Sequence, residues 1–188
     1  MKKRSCPWPN NDPLMQIYHD TEWGMPLRDD RKLFEFLILE TMQAGLSWRC
    51  VLYKRENFRK AFHGFDPVKV ARYGAADIKR LLDDVGIIRN RLKIEAAVSN
   101  ARAFLAISKK HGSFAAYLWK FIKGKPIVRR RKSLKELPAT SRESDVISRA
   151  MKRDGFKFVG STVIYAHMQA TGMVNDHLVS CFRHGECR

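Results

Sequence analysis

Leu39-Glu40-Thr41-Met42-Gln43-Ala44-Gly45-Leu46-Ser47-Trp48 decides how this chain is read. The stretch ends an almost wholly apolar run that starts behind Asp29-Asp30. Those aspartates cap a helix running to about Gln43, with Leu33, Leu37, Glu40 and Ala44 on one stripe. Gly45-Leu46 makes a turn. Ser47 is an N-cap for a second helix through Val51, Leu52, Phe58 and Phe62. The unit is helix, tight turn, helix. It carries one carboxylate at an apolar helix end and an aromatic, Trp48, at the start of the next helix.

The same grammar recurs outward from it. Asp66-Pro67 pairs an N-cap with proline at the first helical position. Ala76 to Leu82 reads as a short amphipathic segment and Arg91 to Leu105 as a longer helix. Ser113 caps a helix through Trp119 and Phe121. Ser141 or Ser144 caps one to about Arg153, and Ser161 to Ala170 forms another, closed by Gly172. Lys123-Gly124-Lys125-Pro126 breaks the run, and the polar, basic stretch from there to Pro138 reads as a surface loop. Within it, Arg129-Arg130-Arg131-Lys132 suits either phosphate contacts or, on its own, a solvated charge run. No alternating strand and no solenoid-length repeat is evident. The expected class is all-α, one compact helical domain over residues 1–188.

The 188 residues are 45% hydrophobic, enough for a sizeable core and too many for a disordered chain. Lys and Arg outnumber Asp and Glu by 36 to 19, a net charge of +17. That excess favours a polyanion. Nucleic acid is preferred over an anionic membrane surface, because no Lys-rich helix with an exposed apolar face is evident. No apolar run approaches the roughly 20 residues that span a bilayer. The basic start, Met1-Lys2-Lys3-Arg4, lacks the apolar segment of a signal peptide. A soluble, cytoplasmic protein with reduced Cys6, Cys50, Cys181 and Cys187 is expected.

Two further constellations carry chemistry. Met151-Lys152-Arg153-Asp154-Gly155-Phe156-Lys157-Phe158-Val159-Gly160-Ser161-Thr162 joins two expected helices through a glycine turn. Gly155 and Gly160 permit φ values that other residues resist and allow close backbone approach. The helix opening at Ser161 offers unpaired N–H groups and a positive dipole end, an anion site suited to a DNA phosphate. Lys152, Arg153 and Lys157 reinforce it, with Phe156, Phe158 and Val159 anchoring the turn in the core. Asp84-Val85-Gly86-Ile87-Ile88 is a weaker second candidate. At the chain's two ends, Cys6, His19, His177 and Cys181 form a Cys2His2 set of the kind that holds structural zinc, and His177-x3-Cys181 spacing suits one helical face. By spacing alone, His184 and Cys187 are rival ligands.

Cys6 with Trp8, Asp12-Pro13-Leu14, Tyr18-His19-Asp20 with Glu22-Trp23-Gly24, Leu39-Glu40, Gln43-Ala44-Gly45-Leu46-Ser47-Trp48, Lys54-Arg55-Glu56-Asn57, Phe65-Asp66-Pro67, Gly155-Phe156-Lys157-Phe158-Val159-Gly160 and Asn175-Asp176-His177 occur in this order. From about Cys6 to Cys181 the chain thereby resembles the 3-methyladenine DNA glycosylase I family, of the helix-hairpin-helix glycosylase superfamily. The resemblance implies a helix-hairpin-helix at about residues 145–172. It implies a structural zinc on Cys6, His19, His177 and Cys181 tying residues 1–20 to residues 173–188. It implies a base pocket of Glu40, Tyr18 and Trp48, with Trp8 close by, and a wedge of Gln43, Gly45 and Leu46 inserted into the duplex. Lys157, Phe158, Gly160 and Ser161 remain the hairpin's candidates for DNA contact. Two departures stand out: Met42 occupies a position often polar in relatives, and the tail from Phe182 to Arg188 is the chain's own.

The implied activity is that of a monomeric repair glycosylase acting on double-stranded DNA that contains alkylated adenine. It flips out N3-methyladenine and hydrolyses the N-glycosidic bond, leaving an abasic site without strand cleavage. Ser161-Thr162-Val163 fills the place where lyase relatives carry a nucleophilic lysine. Trp48 suits stacking on a cationic base, and Glu40 suits the exocyclic amine of adenine while repelling the carbonyl of guanine. Asp176 is a rival acid, in roughly the region where many superfamily members use an aspartate; the resemblance implies a family that manages without it. A zinc-stabilised DNA-binding module without catalysis fits the charge, hairpin and metal equally. Glu40 facing Trp48 and Tyr18 is what separates the two, since a pure binder needs no buried carboxylate there.

Overall fold

A computed structural model describes residues 4–187; Met1-Lys2-Lys3 and Arg188 lie outside the described residues. Ten α-helices appear in it: α1 Pro13–Thr21, α2 Asp30–Gln43, α3 Trp48–Tyr53, α4 Arg55–Ala61, α5 Pro67–Ala71, α6 Ala75–Asp83, α7 Arg91–His111, α8 Phe114–Trp119, α9 Arg142–Arg153 and α10 Ser161–Ala170. The caps act as their residue types dictate. Asp29, Ser47, Asp66, Asn90, Ser113 and Ser141 each accept a backbone N–H of the following first turn.

Several boundaries differ from the sequence reading. α1 is an element that reading omits, although Asp12-Pro13 repeats the cap-then-proline signal of Asp66-Pro67. The helix expected from Ser47 through Phe62 is two helices, α3 and α4, meeting at Lys54. α7 runs six residues beyond Leu105, to His111, with Gly112 as its C-cap. One short strand pair also exists: β1 (Ile127–Val128) lies parallel to β2 (Val174–Asn175), with Ile127 opposite Val174 and Val128 opposite Asn175.

α2 is the axis of the core. Every residue from 33 to 42 is buried, so the helix is enclosed on all sides rather than along the expected stripe. α3, α7, α8 and α10 pack around it. Asp30 adds a second link, its two oxygens accepting the N–H groups of Phe114 and Ala115 and so seating α8 on the start of α2. A central helix held on every face presents its C-terminal end, Glu40 to Gln43, in a fixed position. No helix among the described residues is long and apolar enough to cross a membrane.

Candidate active site

The end of α2, the end of α1, the start of α3 and the middle of α10 line an open cavity of about 280 Å³. Tyr18, Trp48, Trp8 and Glu40, all candidates from the sequence, line it, and Gln43 lies at its edge. Tyr18 and Trp48 approach with ring centroids 5.2 Å apart, and Trp8 meets Tyr18 edge-on at 6.3 Å. Phe36 backs Trp48 in a near-parallel stack at 6.4 Å. Aromatic edges and faces therefore form the walls, and the floor is a carboxyl.

Glu40 is 4% exposed and burial pushes its carboxyl up to about 8. Its Oε2 is buried with no hydrogen-bond partner, and so are the indole Nε1 atoms of Trp8 and Trp48. These three polar atoms, on residues that line one cavity, have no partner within the protein, and a buried polar group left unpaired costs free energy. They are the expected mark of a site completed by a guest. Burial, with Glu40 and Glu22 nearby, holds the Tyr18 hydroxyl well above its ordinary range, so it stays a neutral donor.

Sequence reasoning missed part of the lining. Trp23 forms a wall, 5.2 Å from Trp8. Gln169 of α10 contributes an amide whose Nε2 donates to Asp176 at 3.0 Å. Leu134 and Leu137 come from the stretch expected to be a polar surface loop. Their apolar spacing within Ser133-Leu134-Lys135-Glu136-Leu137 was the available signal. Glu136 folds that loop back by accepting the Lys132 N–H and the Ser133 hydroxyl.

Beside the cavity, residues 43–46 make a type II turn. Ala44 sits at φ −46°, ψ 117°, Gly45 at φ +79°, and the Leu46 N–H returns to the Gln43 carbonyl. Gly45 and Leu46 are exposed, the leucine by 43%. Met42 is fully buried in the core and takes no part in the turn's outer face.

α9 and α10 pack together across the glycine connection. Gly155 takes φ +92°, but Gly160 does not need a glycine's freedom, being at φ −60°. The second left-handed residue is Phe158, φ +56°. Phe156 and Val159 are buried as expected, whereas Phe158 is 39% exposed and is not a core anchor. Lys152, Arg153 and Lys157 are exposed around the turn. Gly160 precedes α10 with no side-chain cap, leaving N–H groups of the first turn open near Ser161, while the Ser161 hydroxyl meets Ser144 at 2.7 Å.

Cys6, His19, His177 and Cys181 converge: one ligand atom from each lies within 4.8 Å of the others, and all four residues are buried. Each histidine uses its other ring nitrogen elsewhere. His19 Nδ1 donates to Asp20 at 2.6 Å, and His177 Nε2 donates to the Trp23 carbonyl at 2.9 Å. This leaves His19 Nε2 and His177 Nδ1 facing Cys181 Sγ at 3.6 Å each. Outer partners that fix imidazole tautomers are what a metal centre requires. His177 and Cys181 meet through a turn, not on one helical face. The rival ligands are engaged elsewhere, His184 Nε2 with the Arg129 carbonyl and Cys187 Sγ against Met25 Sδ.

Arg129-Arg130-Arg131-Lys132 is not a uniformly solvated run. Arg129 pairs with Glu143 at 3.3 Å, and Arg131 Nε lies 3.5 Å from Asp176 Oδ1. Asp176 is 1% exposed, and its Oδ2 also accepts the Tyr165 hydroxyl. It is not among the cavity's lining residues.

The helical fold thus sets an open aromatic cavity against a buried carboxyl, beside an uncapped helix start with exposed cations. The methyladenine glycosylase family model matches residues 8–184, and the chain belongs to that family. It is 51% identical to DNA-3-methyladenine glycosylase 1 of Escherichia coli over 94% of each chain. It is 47% identical to DNA-3-methyladenine glycosylase of Haemophilus influenzae, over 94% of this chain and 95% of that one. Among solved structures it resembles a 3-methyladenine DNA glycosylase I at TM-score 0.93 and 50% identity, covering 95% and 98% of the two chains. The Staphylococcus aureus 3-methyladenine DNA glycosylase I superposes at TM-score 0.92 and 36% identity, over 95% of each chain.

Proposed function

We propose that this protein is a DNA repair glycosylase that takes N3-methyladenine out of the duplex and hydrolyses its N-glycosidic bond. The observation that carries the reading is Glu40: a buried, unpartnered carboxyl on the floor of an aromatic cavity. In the free protein it stays largely protonated at neutral pH. Entry of a cationic base draws its proton off, because the opposite charge restores what burial removed. Neutral adenine supplies no such charge, so the site discriminates on the methyl group's electronic effect. The carboxylate then accepts a hydrogen bond from the exocyclic amine. Trp48 stacks on the cationic ring, worth about 0.5–2 kcal/mol beyond a neutral one. Tyr18 adds its hydroxyl, and Trp8 closes the side.

The chemistry asks little more. Methylation at N3 makes the base a cation, so the C1′–N9 bond breaks with its electron pair passing to a base that leaves neutral. Water adds at C1′ and gives up a proton, leaving an abasic sugar and an uncut strand. Ser161-Thr162-Val163 offers no amine at the position of a lyase nucleophile. Gln43, Gly45 and Leu46 fill the gap left by extrusion. Lys157, Phe158, Gly160 and Ser161 hold the backbone in a helix-hairpin-helix formed by α9 and α10. The partner is double-stranded DNA, bound by one monomeric domain. The Cys2His2 cluster fits zinc in chemistry and in its oriented imidazoles. Cys6, His19, His177 and Cys181 would hold the ion, which would tie the N- and C-terminal segments together and would serve structure rather than chemistry.

Chromatography of bases released from methylated duplex DNA tests this. Release of 3-methyladenine with the strand intact is expected. Tight duplex binding without release would instead make the protein a binding module.

A further inference from the structure

We infer that Lys93 and Asn100 are positioning residues that fix the spacing between the wedge turn and the phosphate-holding hairpin, with α7 as their common support. The inference rests on the functional reading of those two turns. Lys93 and Asn100 stand seven residues apart on α7, two helical turns, on one side of the helix and about 10 Å along its axis. Both are polar and buried, at 7% and 0% exposure, beside the apolar Ile94, Ala97 and Ala101. Each spends its side chain on backbone atoms of a different turn.

Lys93 Nζ donates to the Met42 carbonyl at 2.9 Å and to the Ala44 carbonyl at 2.5 Å. The first is an open carbonyl at the end of α2. The second belongs to the central peptide of the type II turn, whose orientation distinguishes type II from type I. Holding that carbonyl therefore fixes the direction in which Gly45 and Leu46 project. Asn100 grips the hairpin in both directions: Nδ2 donates to the Lys157 carbonyl at 3.0 Å, and Oδ1 accepts the Lys157 N–H at 2.7 Å. Lys157 lies beside Phe158, whose left-handed φ is the hairpin's strained point. Burying an ammonium and an amide in a core costs stability. Neither residue touches the base cavity, so the return lies in the placement of the two surface turns.

The test compares Lys93→Met and Asn100→Ala with the wild type in two binding measurements. One is affinity for free 3-methyladenine, followed by tryptophan fluorescence. The other is affinity for a duplex carrying a stable abasic-site analogue. Removing a charge-assisted or buried hydrogen bond predicts a fall in duplex affinity of roughly tenfold or more, with free-base affinity held within about twofold. Lys93→Arg, which keeps a donor, recovers part of the loss. Hydrogen exchange at the Leu46 and Lys157 amides accelerates in the corresponding variant. Unchanged duplex affinity in either folded variant overturns the inference, as does a parallel loss of free-base binding, which makes the pair general supports of the core. Should Asn100→Ala fail to fold, Lys93→Met carries the test alone. Failure of the wild type to release 3-methyladenine sinks the functional reading, while these affinity ratios still decide the role of α7.

Discussion

Trp8 and His19 meet edge to face with ring centroids 5.3 Å apart, so a wall of the aromatic cavity rests directly on the Cys2His2 cluster. The neighbours along the chain repeat the relationship. Cys6 lies two residues before Trp8, and His19 follows Tyr18. Trp23 closes the arrangement, packing on His177 at 4.6 Å and on Trp8 at 5.2 Å. Ordering the cluster orders the pocket.

Metal removal is therefore expected to act on base recognition before it unfolds the core. The protein should carry about one zinc per chain, the stoichiometry of a four-ligand structural site. Stripping it with a chelator should change the near-ultraviolet circular dichroism of the tryptophans and weaken free 3-methyladenine binding, while far-ultraviolet helicity persists. A stripped protein that binds the base as before would detach the cluster from the pocket.

Glu40 predicts two pH dependences of opposite use. Its folded-state carboxyl stands at about 8 against an ordinary 4.5. Between those values the folded protein keeps a proton that the unfolded chain has lost, so stability falls as pH rises through that window, by on the order of 3–5 kcal/mol. Glu40→Gln removes this dependence, and denaturant unfolding should show the variant gaining on the wild type from pH 5 to 9. Excision runs the other way. In the proposed reaction the carboxylate is the form that pairs with the cation, so kcat/KM should rise with pH and level off near 8. The Gln variant should be flat and at least about tenfold slower. A flat wild-type profile would remove Glu40 from the recognition step.

How far the sequence reveals all this depends on the kind of signal. Caps, the Gly45 turn and the apolar run of α2 are local and legible. So is the split at Gly155, because a left-handed backbone demands glycine there. Phe158 takes the same conformation without a glycine and betrays nothing in the sequence. Lys93 and Asn100 did leave a trace, two polar residues at positions i and i+7 within an otherwise apolar helix stripe. Their partners, however, lie 49 and 57 residues away. Leu134 and Leu137 showed only as one apolar pair spaced three apart among charges, and Arg131 was masked by its place in a basic run. Glu40, Tyr18, Trp48 and Trp8 line one cavity, and no local pattern groups them; only the family resemblance named them together.

Asp176 is expected to be structural. Its carboxylate takes hydrogen bonds from Tyr165 and Gln169 and faces Arg131, leaving the cavity to Glu40. Asp176→Asn forfeits charge-assisted bonds and should cost about 1–3 kcal/mol, visible as a lower melting temperature. Base release per folded molecule should stay within a few-fold of wild type, the remaining loss reflecting a looser Gln169. An Asp176→Asn protein that folds fully and releases no base would reinstate this residue as the catalytic acid.

Gly155 and Gly160 separate backbone strain from ligand approach. A Cβ at either position meets nothing in the protein within 4 Å, so packing does not decide between them. Conformation does. Gly155 at φ +92° resists any other residue, and Gly155→Ala should destabilise the fold by about 1–2 kcal/mol. Gly160 at φ −60° accepts alanine without strain, so Gly160→Ala should melt within about a degree or two of wild type. The new methyl would stand near the uncapped start of α10, where the phosphate contact is proposed. Duplex affinity should fall several-fold for Gly160→Ala, and its salt dependence should become shallower as the contact is lost. Free-base binding should be unaffected. Wild-type duplex affinity in Gly160→Ala would mean that the start of α10 does not carry the phosphate contact.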